Sequence, residues 1–202
     1  MLFSIEGPIA CGKSTVLRGL AAKGIYVFPE PTATWKPWLE EYYASSTPEA
    51  ALILQRRILA SLIFRHHLIA EVRDRFPNGI FVMERSLFSA ASLFAEVNSR
   101  LRPHPGWVGV KESIIHSFEE FERGKVIAIA LRLPFEETVR RSLARGDPDI
   151  NASIDYMQAI HDRSSVLERS GQQMVVNCTG ASPQQVLNTV ERIIRSNVTY
   201  NQ

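Results

Sequence analysis

An α/β fold, a five-stranded parallel sheet flanked by helices in three layers, is predicted by three observations. Short apolar runs at residues 2–5, 25–28, 80–83, 126–131 and 174–176 alternate with longer segments of helical pattern, the signature of parallel strands joined by helical crossovers. The runs are near-continuous rather than alternating, and Val, Ile and Phe are prominent in them, as expected of strands buried on both faces. Finally, the octet Gly7-Pro8-Ile9-Ala10-Cys11-Gly12-Lys13-Ser14 stands between the first run and the amphipathic Val16-Leu17-Arg18-Gly19-Leu20, the strand, loop and helix order that a phosphate-binding loop requires.

The residues just beyond each run are the most telling, because ligands of such sheets gather at the carboxyl ends of the strands. After the first run comes the glycine-rich loop. Its glycines stand where backbone must approach an anion, its N–H groups face the β-phosphate, Lys13 reaches the β- and γ-phosphates, and Ser14 is placed to hold Mg²⁺. The segment through Thr15 is therefore read as a nucleoside triphosphate site. Pro29-Glu30-Pro31 comes after the second run. Residues 48–74 read as one long helix, with Pro48 suited to its first turn and Pro77-Asn78-Gly79 beyond its end. Gln55, Ile58, Leu59 and Leu62 share one face of that helix, so Gln55 is either exposed or has a partner or ligand. Glu84-Arg85-Ser86 comes after the third run, and residues 98–109, with Pro103, Pro105, Gly106 and Gly109, read as a loop. The fourth run leads through Pro134 to Arg140, Arg141 and Arg145, and the fifth to Asn177-Cys178-Thr179-Gly180.

The 202 residues, 45% hydrophobic and 22% charged, suit a single globular domain over residues 1–202. A net charge of +2 from 23 basic and 21 acidic residues, with no basic run, argues against nucleic acid as a partner. No window approaches a membrane span, and the first strand leaves no room for a signal or transit peptide, so a cytoplasmic protein is expected. Two cysteines can make neither a disulfide framework nor a structural zinc site. Cys11, at a helix N-terminus beside Lys13, reads first as a small residue filling the turn, the alternative being a thiol that is reactive until nucleotide covers it.

Ile5-Glu6-Gly7-Pro8 with the phosphate loop, Glu30-Pro31-Thr32-Ala33-Thr34-Trp35, Gln55, Glu84-Arg85-Ser86 and Asp155-Tyr156-Met157-Gln158-Ala159-Ile160-His161 resemble, in order and over nearly the whole chain, the cellular deoxyribonucleoside kinases. That group includes mitochondrial thymidine kinase, deoxycytidine kinase, deoxyguanosine kinase and the insect multisubstrate enzyme. The compact chain suggests a viral or pared-down member. The resemblance implies a P-loop kinase fold with an arginine-rich lid. It also implies Mg²⁺ and ATP as donor, a deoxyribonucleoside as acceptor, and a homodimer.

Residue by residue, the resemblance makes Glu30 the general base for the 5′-hydroxyl, Arg85 its partner on the same oxygen, and Glu84 a Mg²⁺ contact beside Ser14. Gln55 would face the Watson-Crick edge of the base. Trp35 would form an aromatic wall, Ile58 and Leu62 an apolar floor with Phe88 as a further neighbour, and Tyr43 (or Tyr42) with Asp155 would bind the 3′-hydroxyl. Where the deoxycytidine kinase branch has an Arg on this helix and an Asp after the Glu-Arg-Ser motif, the chain has Leu62 and Ala90, leaving room for a 5-methyl group. Thymidine is the expected substrate, with deoxycytidine or deoxyuridine also accommodated. Arg141 and Arg145 align with lid arginines that clamp the phosphoryl group, whereas the next lid arginine is replaced by Asp147 and the segment beyond reads Pro148-Asp149-Ile150-Asn151. The segment 177–180 lies where the family's donor-base loop packs on adenine, with no base-specific residue in it.

Two other readings compete. A thymidylate-type nucleoside monophosphate kinase shares the loop and the Glu-Pro pair, but an Arg commonly precedes that pair, where this chain has Phe28 and Pro29. A non-catalytic nucleotide sensor on the same fold would have no use for Lys13, Ser14, Glu30 and Arg85 together.

Overall fold

The structure is a computed structural model that describes residues 1–45, 47–145, 154–171 and 173–199. Its sheet is set by residues that have nowhere else to go: Phe3 and Ile5 of β1 (Leu2–Glu6) and Phe81, Val82 and Met83 of β3 (Phe81–Glu84) are wholly buried. With β2 (Tyr26–Phe28), β4 (Val126–Arg132) and β5 (Met174–Asn177) they form a parallel sheet in the order β2-β3-β1-β4-β5. Leu2 pairs with Phe81 and with Val126, which puts β1 at the centre. All five carboxyl ends therefore share one edge.

Alternation along β1 divides the core between the two faces. Phe3 and Ile5 point toward α1 (Lys13–Ala21) and the C-terminal helix Pro183–Thr199, where Val16, Leu17, Leu20, Val190 and Ile194 complete one cluster. Leu2 points the other way, to Phe81, Met83 and Ile69 of α3 (Pro48–Arg75). A third cluster joins α3 to α2 (Thr32–Ser45) and α6 (Trp107–Phe121) through Trp35, Leu59, Leu62, Trp107 and Ile114. Between β3 and α6 the chain runs as one continuous helical stretch: α4 (Leu87–Ser89), a π-helical segment Ala90–Ala95, then α5 (Glu96–Leu101). After β4 come α7 (Phe135–Arg145) and α8 (Ile154–Arg169), and the helix Pro183–Thr199 is α9.

Burial on both faces holds for β1 and β3, every residue of which is buried, but the edge strands β2 and β5 keep exposed residues. Four strands also run one residue past their apolar runs, into Glu6, Glu84, Arg132 and Asn177. Backbone pairing explains this, since Ile5 aligns with Glu84 and Arg132 with Asn177. The expected loop at residues 98–109 shrinks to residues 102–106, because α5 continues to Leu101 and α6 begins at Trp107. Gly109 lies in the first turn of α6 where an added Cβ would meet nothing, so it punctuates no loop. Asp147 and residues 148–151 fall outside the described residues. Among the described residues no helix is long and apolar enough to cross a membrane.

Candidate active site

The loop after β1 turns because Gly7 (φ +130°), Ala10 (φ +62°) and Gly12 (φ +107°) adopt positive φ. At Gly7 a side chain has no room: an added Cβ would lie 2.6 Å from the Leu131 carbonyl oxygen and 2.9 Å from Cys11 Sγ. Lys13 is buried and folds back over the loop, donating to the carbonyls of Pro8 at 2.8 Å and Gly7 at 3.4 Å. Cys11 is only 2% exposed, packed with Val16 and Leu17. This burial fits the small residue that fills the turn and goes against the alternative of a reactive thiol. Cys178 is likewise buried, and burial pushes its pKa up to about 11.

Glu30 lies just past β2 and Arg85 just past β3, so the two adjacent strands deliver their side chains to one point. Arg85 Nη1 donates to Glu30 Oε2 at 2.6 Å. Burial works against the Arg85 charge, but attraction and hydrogen bonding to Glu30, with help from Glu84, leave its pKa above the ordinary value. The guanidinium also lies over the Phe94 ring, 4.4 Å from its centroid. The Ser14 hydroxyl lies 3.2 and 3.3 Å from the two oxygens of the buried Glu84 carboxylate. These hard oxygen donors beside the phosphate loop fit Mg²⁺, which typically takes one or two protein ligands and completes its shell with phosphate and water.

Glu30 and Arg85, with Ile9 of the phosphate loop, line a cavity with an empty volume of about 1060 Å³, part of it open to solvent. Trp35, Tyr42, Tyr43, Gln55, Ile58, Leu62 and Ala90 line it. Trp35 is fixed as a wall by donating from Nε1 to Ser61 Oγ at 2.7 Å, while Ser61 donates to the Ile58 carbonyl. Gln55 is 4% exposed, and no described residue hydrogen-bonds its amide. The amide is not among the described polar atoms buried without a partner, so it opens onto the cavity it lines, where a ligand can meet it. Tyr42 and Tyr43 both line the cavity, and the Arg102 guanidinium stacks 5.1 Å from the Tyr42 centroid.

Two expected neighbours are elsewhere. Asp155 sits exposed in the first turn of α8, and it is the next residue, Tyr156, that faces the cavity and accepts from Asn98. The helical rotation per residue separates them. Phe88 packs on Phe118 instead, its place at the wall taken by Phe94. Asn98, Arg102 and Phe94 stand in no motif, and Tyr156 stands in the motif that begins at Asp155 without a role of its own there; their place at the cavity is visible only once the helices are assembled.

A second, smaller cavity with an empty volume of about 440 Å³ lies between the start of α1 and the turn after β5. Cys11, Gly12, Thr15, Cys178, Ala181 and Arg141 are among its lining residues. Arg141 donates from Nε to Glu137 Oε1 at 2.7 Å, and Arg140 engages the same carboxylate. Hydrogen bonds from Arg140 and then Arg141 hold the Glu137 pKa down at about 2. Arg145 ends α7 at an exposed position.

Comparison with known proteins decides the family. A family model described as deoxynucleoside kinase matches residues 3–196. The chain belongs to the deoxynucleoside kinase family. It is 28% identical over 178 residues to a thymidine kinase of Ictalurid herpesvirus 1 (strain Auburn), covering 81% of this chain and 72% of that protein. Its fold superposes with a TM-score of 0.73 on a solved deoxyadenosine kinase from M. mycoides with the products dCMP and dCDP bound. That match is 18% identical and covers 97% of this chain and all of the other. This deoxynucleoside kinase is thus an enzyme that phosphorylates nucleosides on a P-loop α/β fold.

Proposed function

We propose that this kinase transfers the γ-phosphoryl group of ATP to the 5′-hydroxyl of a deoxyribonucleoside, with thymidine and other deoxypyrimidines preferred. The observation that carries this reading is the meeting of Glu30 and Arg85 where the apolar cavity opens toward the phosphate loop. Glu30 takes the proton of the 5′-hydroxyl as that oxygen bonds to the γ-phosphorus and the bond to the β-phosphate oxygen breaks, releasing ADP. Arg85 holds the attacking oxygen, while Lys13, Arg141 and Arg145 counter the charge that spreads over the transferring group. Ser14 and Glu84 hold Mg²⁺, which when bound neutralises phosphate charge. The smaller cavity, between the loop and Cys178, takes the donor base.

Acceptor preference rests on three side chains. The Gln55 amide offers a donor and an acceptor side by side, and Leu62 and Ala90 supply apolar space where a charged pair would select cytosine or a purine. Trp35 stacks against the ring. Tyr42 or Tyr43 takes the sugar hydroxyl, with Tyr156 in the place foreseen for Asp155. The enzyme acts as a homodimer in the cytoplasm.

Phosphorylation of thymidine, deoxycytidine, deoxyadenosine, deoxyguanosine and thymidine monophosphate with Mg·ATP, each tested separately, checks the reading. Thymidine should lead. Turnover of the monophosphate alone would instead assign a nucleoside monophosphate kinase, and no turnover at all a nucleotide sensor.

A further inference from the structure

The turn that carries Arg85 is braced by buried charges that the transfer does not use. Arg85 has φ +57°, a left-handed conformation that a residue with a long side chain keeps only where its surroundings hold it. Arg65, buried on α3, donates from Nη1 to the Glu84 carbonyl at 2.7 Å and from Nη2 to the Arg85 carbonyl at 2.6 Å. Successive carbonyls of an extended strand point to opposite sides, so one guanidinium can meet both only where the chain turns at Arg85. The fork and the left-handed turn require each other. The next amides are held as well: Ser86 N–H donates to Glu6 at 3.0 Å, and Leu87 and Phe88 N–H donate to Glu122 at 2.6 and 3.2 Å. Glu122 is also 2.8 Å from His66 Nε2, a close approach that is not a hydrogen bond.

We propose that Arg65 is a positioning residue for phosphoryl transfer, acting through Arg85: its two-carbonyl fork fixes the turn that aims the Arg85 guanidinium at Glu30. This inference rests on the kinase reading above. Burial pushes the Arg65 pKa down, while Glu30, Glu122, Glu6 and Glu84 work to keep it charged. A planar fork with two parallel donors is a property of arginine that a lysine ammonium reproduces poorly. Because α3 also carries Gln55 and Leu62, the same helix sets both the acceptor wall and the catalytic turn.

Arg65→Gln and Arg65→Lys test the assignment, with thymidine affinity measured by equilibrium binding and turnover expressed per binding-competent site. In parallel, nitrogen NMR of the guanidinium groups, assigned through Arg85→Lys, reads whether Arg85 is still held against Glu30. Misplacing a reacting group by about 1 Å costs on the order of 10²-fold. A fall of that order is expected in Arg65→Gln, with thymidine affinity within about threefold of the parent, an averaged Arg85 signal, and a smaller loss in Arg65→Lys. Parental turnover per site with an intact Arg85 signal would overturn the proposal, whatever happened to thermal stability. If Arg65→Gln does not fold, Arg65→Lys decides by the same readouts: reduced turnover at unchanged affinity supports the proposal and parental turnover overturns it. A parent without turnover would defeat the kinase reading and leave the NMR comparison to decide the positioning.

Discussion

The Glu30 carboxylate faces two demands, accepting a proton and balancing a guanidinium 2.6 Å away. Replacing it with Gln keeps the size and one acceptor while removing the base. Glu30→Gln should keep thymidine affinity within a few fold and lower kcat by about 10²- to 10⁴-fold, the range of a positioned general base; a rate near the parent's would exclude Glu30 from the chemistry. Leu62 and Ala90 are both buried at the cavity wall, so charge introduced there must be paired. Leu62→Arg alone should destabilise by about 3–5 kcal/mol, because the guanidinium is left uncompensated. Adding Ala90→Asp should recover part of this in denaturant unfolding and move acceptor preference from thymidine toward deoxycytidine. The cysteines behave as core residues. Neither Cys11 nor Cys178 should react with a thiol reagent at pH 8 except through unfolding, since both are buried and Cys178 titrates near 11; rapid labelling of either native thiol would refute that.

Among elements, the strand, loop and helix unit at residues 2–21 depends on two glycines for different reasons. Gly12 needs its positive φ but has open space around it, whereas Gly7 needs its φ and lies against the backbone of β4. Gly12→Ala should therefore cost about 1–2 kcal/mol of conformational strain, and Gly7→Ala about 3 kcal/mol or more, since the Leu131 carbonyl cannot step aside. Urea unfolding of the pair checks the order. Such loops are legible in sequence because their spacing is local, and the apolar runs and the helix beginning at Pro48 were legible for the same reason. Arg65 and His66 were within reach too: the buried stripe Gln55, Leu59, Leu62, His66 and Ile69 has helical period, and polar groups at its far end signal a network. The roles of Glu6 and Glu122 were hidden, because the amides they bond belong to a turn about 80 and 35 residues away in sequence. A single residue of helical rotation likewise separates Asp155 from Tyr156, finer than a motif match resolves.

For the whole molecule, the two sides of α3 face different tasks. One side turns Gln55, Leu62 and Arg65 inward, and the other leaves Ile53, Phe64 and Leu68 exposed along a stripe. On α6, which packs against α3, Val108 and Ile115 are exposed seven residues apart, again on one stripe. Phe64 and Val108 are each 64% exposed, an uneconomical arrangement unless another surface covers them. In the proposed homodimer a second copy would cover this face, and its contact through α3 would brace the helix that lines the acceptor cavity. Phe64→Glu separates assembly from folding: in one chain the side chain is already in water, so the change should alter intrinsic stability by no more than about 0.5 kcal/mol. At a dimer interface it would bury an unpaired charge on each copy. Sedimentation at micromolar concentration should give a dimer for the parent and a monomer for Phe64→Glu, and the melting temperature should lose its dependence on protein concentration in the variant. A parent that sediments as a monomer, or a variant that remains a dimer, would exclude this face as the contact.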